Sequence, residues 1–457
     1  DRASTPAPYR RIAVIGAGSW GTALAIIAAK AGRGVTLWSR REDHARALRE
    51  DGRNARYLPE VDLPDSIRVT SNLATAVEDA DVILMVVPSS AVRETAKKLS
   101  ELIPATTPVI LAAKGIEPGS GLLMSDVAAE ELNGNPMGAL SGPNFAGEAA
   151  SGHPTACTIA SDCGELFDTA PADTVAARMA VAMGTESFRP YISDDLPGVE
   201  VGGALKNVIA IACGIATGAG FGANTRAALI TRGLDEMKRL AEPLGGRRET
   251  VTGLTGVGDL TLTCSSEASR NMSFGLQLGR GIPREETFEG KPVVVEGDRN
   301  ALSVTDLARK HGVHLPICEA VRGILHEGHA VSDAFAMLWG RPIEGEPRAL
   351  VELEIGHPPR PVAFRGDPVV SGENLQKKSD TPLTDEALPE VKTLNPPEGT
   401  PSAEHRDFAA RRFVLATDLD GTFLGGSEAD RRTLYEWIDA NRDEVGLIFV
   451  TGRDPEF

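Results

Sequence analysis

Apolar and polar positions alternate along the first two-thirds of the chain on two length scales. Between residues 11 and 115, short continuous apolar runs ("RIAVIGAG", "VTLWSR", "ADVILMVVP" and "TPVILAAKG") are each bounded by turn-forming residues. Runs of that length read as strands buried on both faces. Helical stretches lie among them, such as "GTALAIIAAKAG", closed by Gly32, and "AVRETAKKLSELI". Strands alternating with helices predict an α/β fold with a parallel, doubly wound sheet. From about Val201 the rhythm changes. "GGALKNVIAIACGIATGAG", "TRAALITRGLDEMKRLAEPLG" and "VTDLARKHG" carry helical spacing with few strand-like runs, so a second, mostly α domain is expected. Beyond Arg341 the periodicity fails in "GHPPRPVAFRGDPVV" and "TLNPPEGTPSAEH", which are proline-rich and polar as linkers are. Order is expected again at "RRFVLATDLDGT", a helix "EADRRTLYEWIDANRD" and a strand "GLIFVTGR". The predicted organisation is a doubly wound α/β domain over 9–200, a helical domain over 201–346, a linker over 347–410 and a short α/β piece over 411–457.

Charge narrows the partners. The formal net charge is -17, from 47 basic and 64 acidic residues. That excludes a nucleic-acid surface and an anionic membrane surface as expected partners. A phosphate substrate would need local positive charge from identifiable Lys and Arg residues. Cys157, Cys163, Cys213, Cys264 and Cys318 form no CxxC pair and have no His partner at zinc spacing, as expected of reduced thiols in the cytoplasm. No run reaches the roughly 18 uninterrupted apolar residues of a membrane span. The first residues lack a secretory signal pattern and an initiating Met, which reads as a trimmed product or a fragment.

Gly16, Gly18 and Gly21 form GxGxxG directly after the first strand and at the opening of a helix. In that setting Gly16 permits the tight turn and Gly18 lets a pyrophosphate approach the backbone. Gly21 lets helix and strand pack closely, and the helix N-terminus meets the phosphate charge. The end of the second strand sets the ribose preference. Ser39, Arg40 and Arg41 stand there, with no carboxylate to bind a free 2'-hydroxyl. Two guanidinium groups favour a 2'-phosphate, hence NADP(H), with NAD(H) left open.

Further segments follow in a fixed order: "IGAGSWGTALA", "VVPS", "AAKG", "SGPNFAGE", "GGALKNVIAI", "GFGANTRAALITRG", "GVGDLTLTC", "SRN" and "VVVEG". Over residues 9 to 346 the chain thereby resembles bacterial NAD(P)-dependent glycerol-3-phosphate dehydrogenases. The resemblance implies a cytoplasmic oxidoreductase, expected as a homodimer, that interconverts dihydroxyacetone phosphate and sn-glycerol 3-phosphate for glycerophospholipid synthesis. β-Hydroxyacid dehydrogenases share the glycine loop and a lysine on the first helix of the α domain, but not "GDLTLTC" followed by "SRN". A non-catalytic nucleotide-sensing module has no use for Lys206, Lys114, Asp259 and Arg270 together.

Ketone reduction develops alkoxide character and needs a proton donor with positive charge nearby. Lys206 lies in the apolar stretch "GGALKNVIAIA", where burial lowers a lysine's pKa towards the working range. It matches the family's general acid/base, and Asn207 beside it is expected to orient the site. Lys114, at a strand end, is expected to touch substrate and cofactor. Asp259 either binds substrate hydroxyls or holds Lys206. Ser269, Arg270 and Asn271 offer a hydroxyl, a guanidinium fork and an amide to the phosphate, and the resemblance brings Arg270 near the cofactor as well. It also puts Gly142 and Asn144 on the substrate side, although many relatives carry Ser or Thr where Asn144 stands. Ala146, Val294 and Glu296 are expected against the dinucleotide. Ser19 and Trp20 would touch it from the glycine loop, where Trp20 serves packing equally well.

In the last piece, "DLDGT" after an apolar strand and "VTGR" after a later one look like the start of a haloacid-dehalogenase-type phosphatase. That resemblance gives Asp418 the nucleophile's role, Asp420 the acid/base role and Thr451 the phosphoryl grip, with Mg²⁺ between the carboxylates. The family's downstream Lys and further acidic motif do not occur before Phe457, so this piece is expected to be catalytically inert.

Overall fold

The first apolar run becomes β1 (Arg11–Ile15), buried along all but its first residue. In the computed structural model, residues 6–164 and 166–339 are described, with short strands at 343–344, 352–353, 413–416 and 446–449. The chain divides into two units, 1–377 and 378–457, each described by itself.

In the first unit β1 is joined by β2 (Gly34–Trp38), β3 (Ile67–Thr70), β4 (Val82–Met85), β5 (Val109–Leu111), β6 (Met137–Ser141), β7 (Thr155–Ser161) and β8 (Phe188–Ser193). The sheet order is β8-β7-β6-β5-β4-β1-β2-β3. Six strands are mutually parallel, but β7 pairs antiparallel to β6 and carries β8 with it. The fold is thus the expected doubly wound α/β sheet with two reversed strands added at one side, which strand-like runs alone do not orient.

Strand order reverses between β1 and β4, the position at which open α/β sheets bind ligands. The register aligns Ile15 with both Trp38 and Met85, so the segments after β1, β2 and β4 emerge at one edge. Helices α1 (Ser19–Lys30) and α2 (Glu42–Asp51) follow β1 and β2.

The change in pattern near Val201 falls inside one long helix, α3 (Leu196–Gly218). Asp195 caps it by accepting from the Gly198 N–H at 2.9 Å, and Pro197 sits in its first turn, where no donor is lost. Apolar nearly all round, α3 is the axis of the helical domain rather than an amphipathic surface helix. By length and composition alone it could cross a membrane, yet it is almost entirely buried in the protein and carries Glu200 and Lys206.

Around it pack α4 (Ala223–Ala241), α5 (Asp259–Ser265), α6 (Arg270–Gly279), α7 (Glu296–Lys310) and α8 (Pro316–His326). Glycines let α3 and α6 touch backbone to backbone. A Cβ on Gly214 would lie 2.2 Å from the Met272 carbonyl oxygen, and one on Gly279 would lie 2.1 Å from that of Ile215. This close approach sets where the start of α6 stands relative to α3.

In the second unit Phe413–Ala416 and Gly446–Phe449 pair in parallel. Asp418, Asp420 and Thr451, the expected helix between the two strands, and most of the linker lie outside the described residues.

Candidate active site

A cleft of about 900 Å³ opens at the switch point, lined by the glycine loop, the end of β2, the segments after β4, β5 and β6, and α3, α6 and α7. Gly16 has φ +125°, and a Cβ there would lie 2.4 Å from the Val86 carbonyl oxygen. A Cβ on Gly21 would lie 1.8 Å from the Gly16 carbonyl oxygen, so loop and helix touch. Gly18 meets nothing within 4 Å and borders the cleft, leaving the backbone and the N-terminus of α1 open to an anion.

The chemical centre is a carboxylate between two ammonium groups. Asp259, the first residue of α5, follows a single π-helical turn, Leu254–Gly258. Its Oδ1 accepts from Lys206 Nζ at 2.5 Å and its Oδ2 from Lys114 Nζ at 2.5 Å. Thr263, four residues on and so on the same helix face, lies 3.1 Å from Lys206 Nζ and donates to Asp259 Oδ1 at 3.2 Å. Sequence reasoning had not singled out Thr263, although its spacing from Asp259 was available.

Gly202 and Gly203, one turn before Lys206, make the approach sterically feasible. A Cβ on Gly203 would lie 3.2 Å from Lys114 Cγ, and one on Gly202 would lie 2.8 Å from the Thr255 carbonyl oxygen. Lys206 is 8% exposed. Burial pushes its ammonium down to about 8, Lys114 adds to the push, and Asp259 resists it. Burial works to raise the Asp259 carboxyl, but the two ammonium groups prevail and hold it below its ordinary value. Both lysines protonated, the cluster carries one net positive charge facing the cleft.

A hydrogen-bond chain ties α7 to this centre. Asn207 Nδ2 donates to Glu296 at 3.1 Å, Asn271 Nδ2 donates to Asn207 Oδ1 at 3.0 Å, and Asn271 Oδ1 accepts from the Gly297 N–H at 2.9 Å. The Asn271 amide is therefore engaged within the protein at both ends. Ser269 caps α6 by accepting from the Met272 N–H at 3.3 Å. Arg270 is exposed in the first turn of α6, where the helix dipole adds positive charge.

Gly142 has φ +151°, and its missing Cβ leaves room for Cys157 and the Asn144 amide. Asn144 Nδ2 donates to the Ala156 carbonyl at 3.2 Å. Ser141 and Asn144 line the cleft, and Ser141 Oγ and Asn144 Oδ1 are buried without a hydrogen-bond partner. Trp20 lines the cleft and also packs on the core under the sheet. Ser19, Ala146 and Glu296 border the cleft, and Val294 does so at 60% exposure. Arg40 and Arg41 border it too, but Arg41 is paired with Asp43.

A cleft at the switch point of a Rossmann sheet, faced by a buried lysine from a helical domain, belongs to the two-domain nicotinamide-dependent dehydrogenases. Comparison with known proteins narrows this. Residues 11–166 match the family model of the NAD-dependent glycerol-3-phosphate dehydrogenase N-terminus, and residues 195–336 match that of its C-terminus. Similar proteins are the glycerol-3-phosphate dehydrogenases [NAD(P)+] of Parvibaculum lavamentivorans and Caulobacter vibrioides. The first is 47% identical over 74% of this chain and 98% of its own length, the second 48% identical over 74% and 99%. The crystal structure of the Coxiella burnetii glycerol-3-phosphate dehydrogenase is 41% identical, covering 73% of this chain and 99% of that one at a TM-score of 0.67. That of the Saccharomyces cerevisiae enzyme is 27% identical, covering 72% and 99% at 0.64. The chain belongs to the NAD(P)-dependent glycerol-3-phosphate dehydrogenase family. Residues 411–457 match the family model described as sucrose-6F-phosphate phosphohydrolase, in keeping with the phosphatase-like start read there.

Proposed function

We propose that this family member reduces dihydroxyacetone phosphate to sn-glycerol 3-phosphate, and runs the reverse, with Lys206 as general acid/base. The observation that carries the reading is the Lys114–Asp259–Lys206 cluster, buried yet open to the cleft. A bound nicotinamide cofactor supplies the hydride. Lys206 Nζ gives a proton to the carbonyl oxygen as it becomes a hydroxyl, and takes it back in the oxidation. Asp259 keeps Lys206 charged and aimed, and Lys114 adds positive charge beside the developing alkoxide. Arg270 and the N-terminus of α6 hold the substrate phosphate, with Ser269 beside them and Asn271 fixing the approach of α7. Gly142, Ser141 and Asn144 line the substrate side. Ser19, Trp20, Ala146, Val294 and Glu296 enclose the dinucleotide, whose diphosphate fits the space left by Gly18. In domain terms, residues 9–200 carry the cofactor and 201–346 the substrate chemistry.

NADP(H) is the preferred cofactor and NAD(H) is accepted. Arg40 and the absence of a carboxylate at Ser39 support this, while Arg41 is already partnered. Five free cysteines among the described residues support a reducing, cytoplasmic setting. Exposed Tyr191 and Ile192 on the edge strand β8 support homodimer assembly. Asp418 and Asp420, with Mg²⁺, and Thr451 would serve a complete phosphatase unit, and the fusion to a dehydrogenase supports glycerol 3-phosphate as its substrate, with glycerol released.

The test is dihydroxyacetone-phosphate-dependent oxidation of NADPH and NADH, compared by kcat/KM. Turnover with both and a higher value for NADPH is expected. No turnover with either would refute the reaction, and a higher value for NADH would refute the preference.

A further inference from the structure

The residue after the second strand of a Rossmann sheet is commonly Asp or Glu, whose carboxylate accepts the 2'-hydroxyl hydrogen of NAD(H). Ser39 stands there, 4% exposed but lining the cleft beside Arg40. A serine hydroxyl can donate or accept, so its neighbours decide. Ser39 Oγ lies 3.0 Å from His44 Nδ1 and 3.4 Å from the Arg41 carbonyl oxygen. On the far side of the ring, His44 Nε2 lies 3.2 Å from Asn54 Oδ1.

Asn54 is 1% exposed, and backbone groups fix both ends of its amide. Nδ2 donates to the Ala17 carbonyl at 3.0 Å and to Thr22 Oγ1 at 2.8 Å, while Oδ1 accepts from the Tyr57 N–H at 3.2 Å. A carbonyl only accepts and an N–H only donates, so turning the amide over would break both contacts. Oδ1 must therefore face His44, and Nε2 carries the ring hydrogen. The neutral imidazole then presents a bare Nδ1 to Ser39. With two acceptors on its protein side, the hydroxyl hydrogen turns inward, and the lone pairs of Oγ are left for the cleft.

We infer that Ser39, oriented by the His44–Asn54 relay, is the acceptor for the 2'-hydroxyl of NAD(H), while Arg40 meets the 2'-phosphate of NADP(H). Ser39 does the carboxylate's work without its charge. A carboxylate would repel a 2'-phosphate, and a hydroxyl does not, so one site serves both cofactors. His44 and Asn54 are positioning residues, and because the relay ends on the Ala17 carbonyl it also ties the ribose end to the glycine loop. This rests on the reading of the cleft as a dinucleotide site.

The test is the ratio of kcat/KM for NADH to that for NADPH. Ser39→Ala should lower the ratio about three- to tenfold, the worth of one neutral hydrogen bond. His44→Phe, which frees the hydroxyl hydrogen, should lower it in the same direction. Arg40→Ala and Ser39→Asp should each raise it. Both rates come from one sample, so a misfolded fraction cancels. If His44→Phe does not fold, the two Ser39 variants carry the test. An unchanged ratio in Ser39→Ala, or a fall in Ser39→Asp, would overturn the inference. Absence of turnover with either cofactor in the unaltered enzyme would instead overturn the dehydrogenase reading on which it rests.

Discussion

Replacing Asp259 by Asn keeps the side chain's size and removes the charge between two buried ammonium groups. Each lysine loses a partner at 2.5 Å. Of the influences on Lys206, burial and Lys114 push its pKa down and Asp259 is the chief one pushing up, giving about 8. Opposite unit charges about 4 Å apart interact by about 4 kcal/mol at an effective dielectric of about 20. Since one pKa unit is about 1.4 kcal/mol, losing the carboxylate is worth up to about three units. The Lys206 ammonium then titrates lower than in the wild type, because burial and Lys114 push it down with no carboxylate opposing them.

The assay is kcat/KM against pH for dihydroxyacetone phosphate reduction. Reduction needs the protonated lysine, so wild-type activity should fall as pH rises through about 8, and oxidation of glycerol 3-phosphate should rise through the same range. In Asp259→Asn the falling limb should move down by at least about one unit. The plateau at lower pH, where Lys206 is protonated, should fall by less than the about 10²–10⁴-fold that removal of the general acid itself would cost. A thermal melt on the same sample separates this from unfolding, because removing one member of a buried ion pair also costs about 3–5 kcal/mol. A folded variant whose limb stays near that of the wild type would refute the assignment of Asp259 as the group that keeps Lys206 charged.

Arg270→Ala should raise the KM for dihydroxyacetone phosphate by about ten- to a hundredfold, the worth of a charge-assisted hydrogen bond. Turnover of unphosphorylated dihydroxyacetone should change little, and an equal loss on both substrates would count against a phosphate contact. Glu236, fully buried on α4, caps α8 by accepting from the Ile317 N–H at 2.6 Å and the Cys318 N–H at 3.2 Å. Burial raises its carboxyl from 4.5 to about 7, so the folded protein holds a proton that the unfolded chain has lost. Stability should therefore fall as pH rises from about 4.5 to about 7, by about 3 kcal/mol from this group. In Glu236→Gln that slope should flatten in denaturant titrations, and an unchanged slope would show that the amide–carboxylate contacts keep the group ionised.

Much of this was legible in the sequence because it is local. A strand, a glycine loop and a helix in succession specify the Gly16–Gly21 turn through backbone sterics that neighbouring residues carry themselves. The α domain followed from helical spacing, and Lys206 from a lysine set among small apolar residues. Two features needed the folded chain. The reversal of β7 and β8 depends on how a strand enters the sheet, which its apolar run does not encode. The meeting of Lys114, Lys206 and Asp259 joins residues up to 145 positions apart, and depends on Gly202 and Gly203 leaving space that only the packed helix defines.

The cofactor end shows the same division most clearly. Sequence placed Ser39, Arg40 and Arg41 together and weighed them as two equal cations without a carboxylate. Tertiary structure made them unequal, by pairing Arg41 with Asp43 and by bringing Asn54 and His44 up behind Ser39. Residue type determines what charge and hydrogen-bonding capacity is present. Which of that capacity is spent inside the protein, and which is left for a ligand, is decided by neighbours in space.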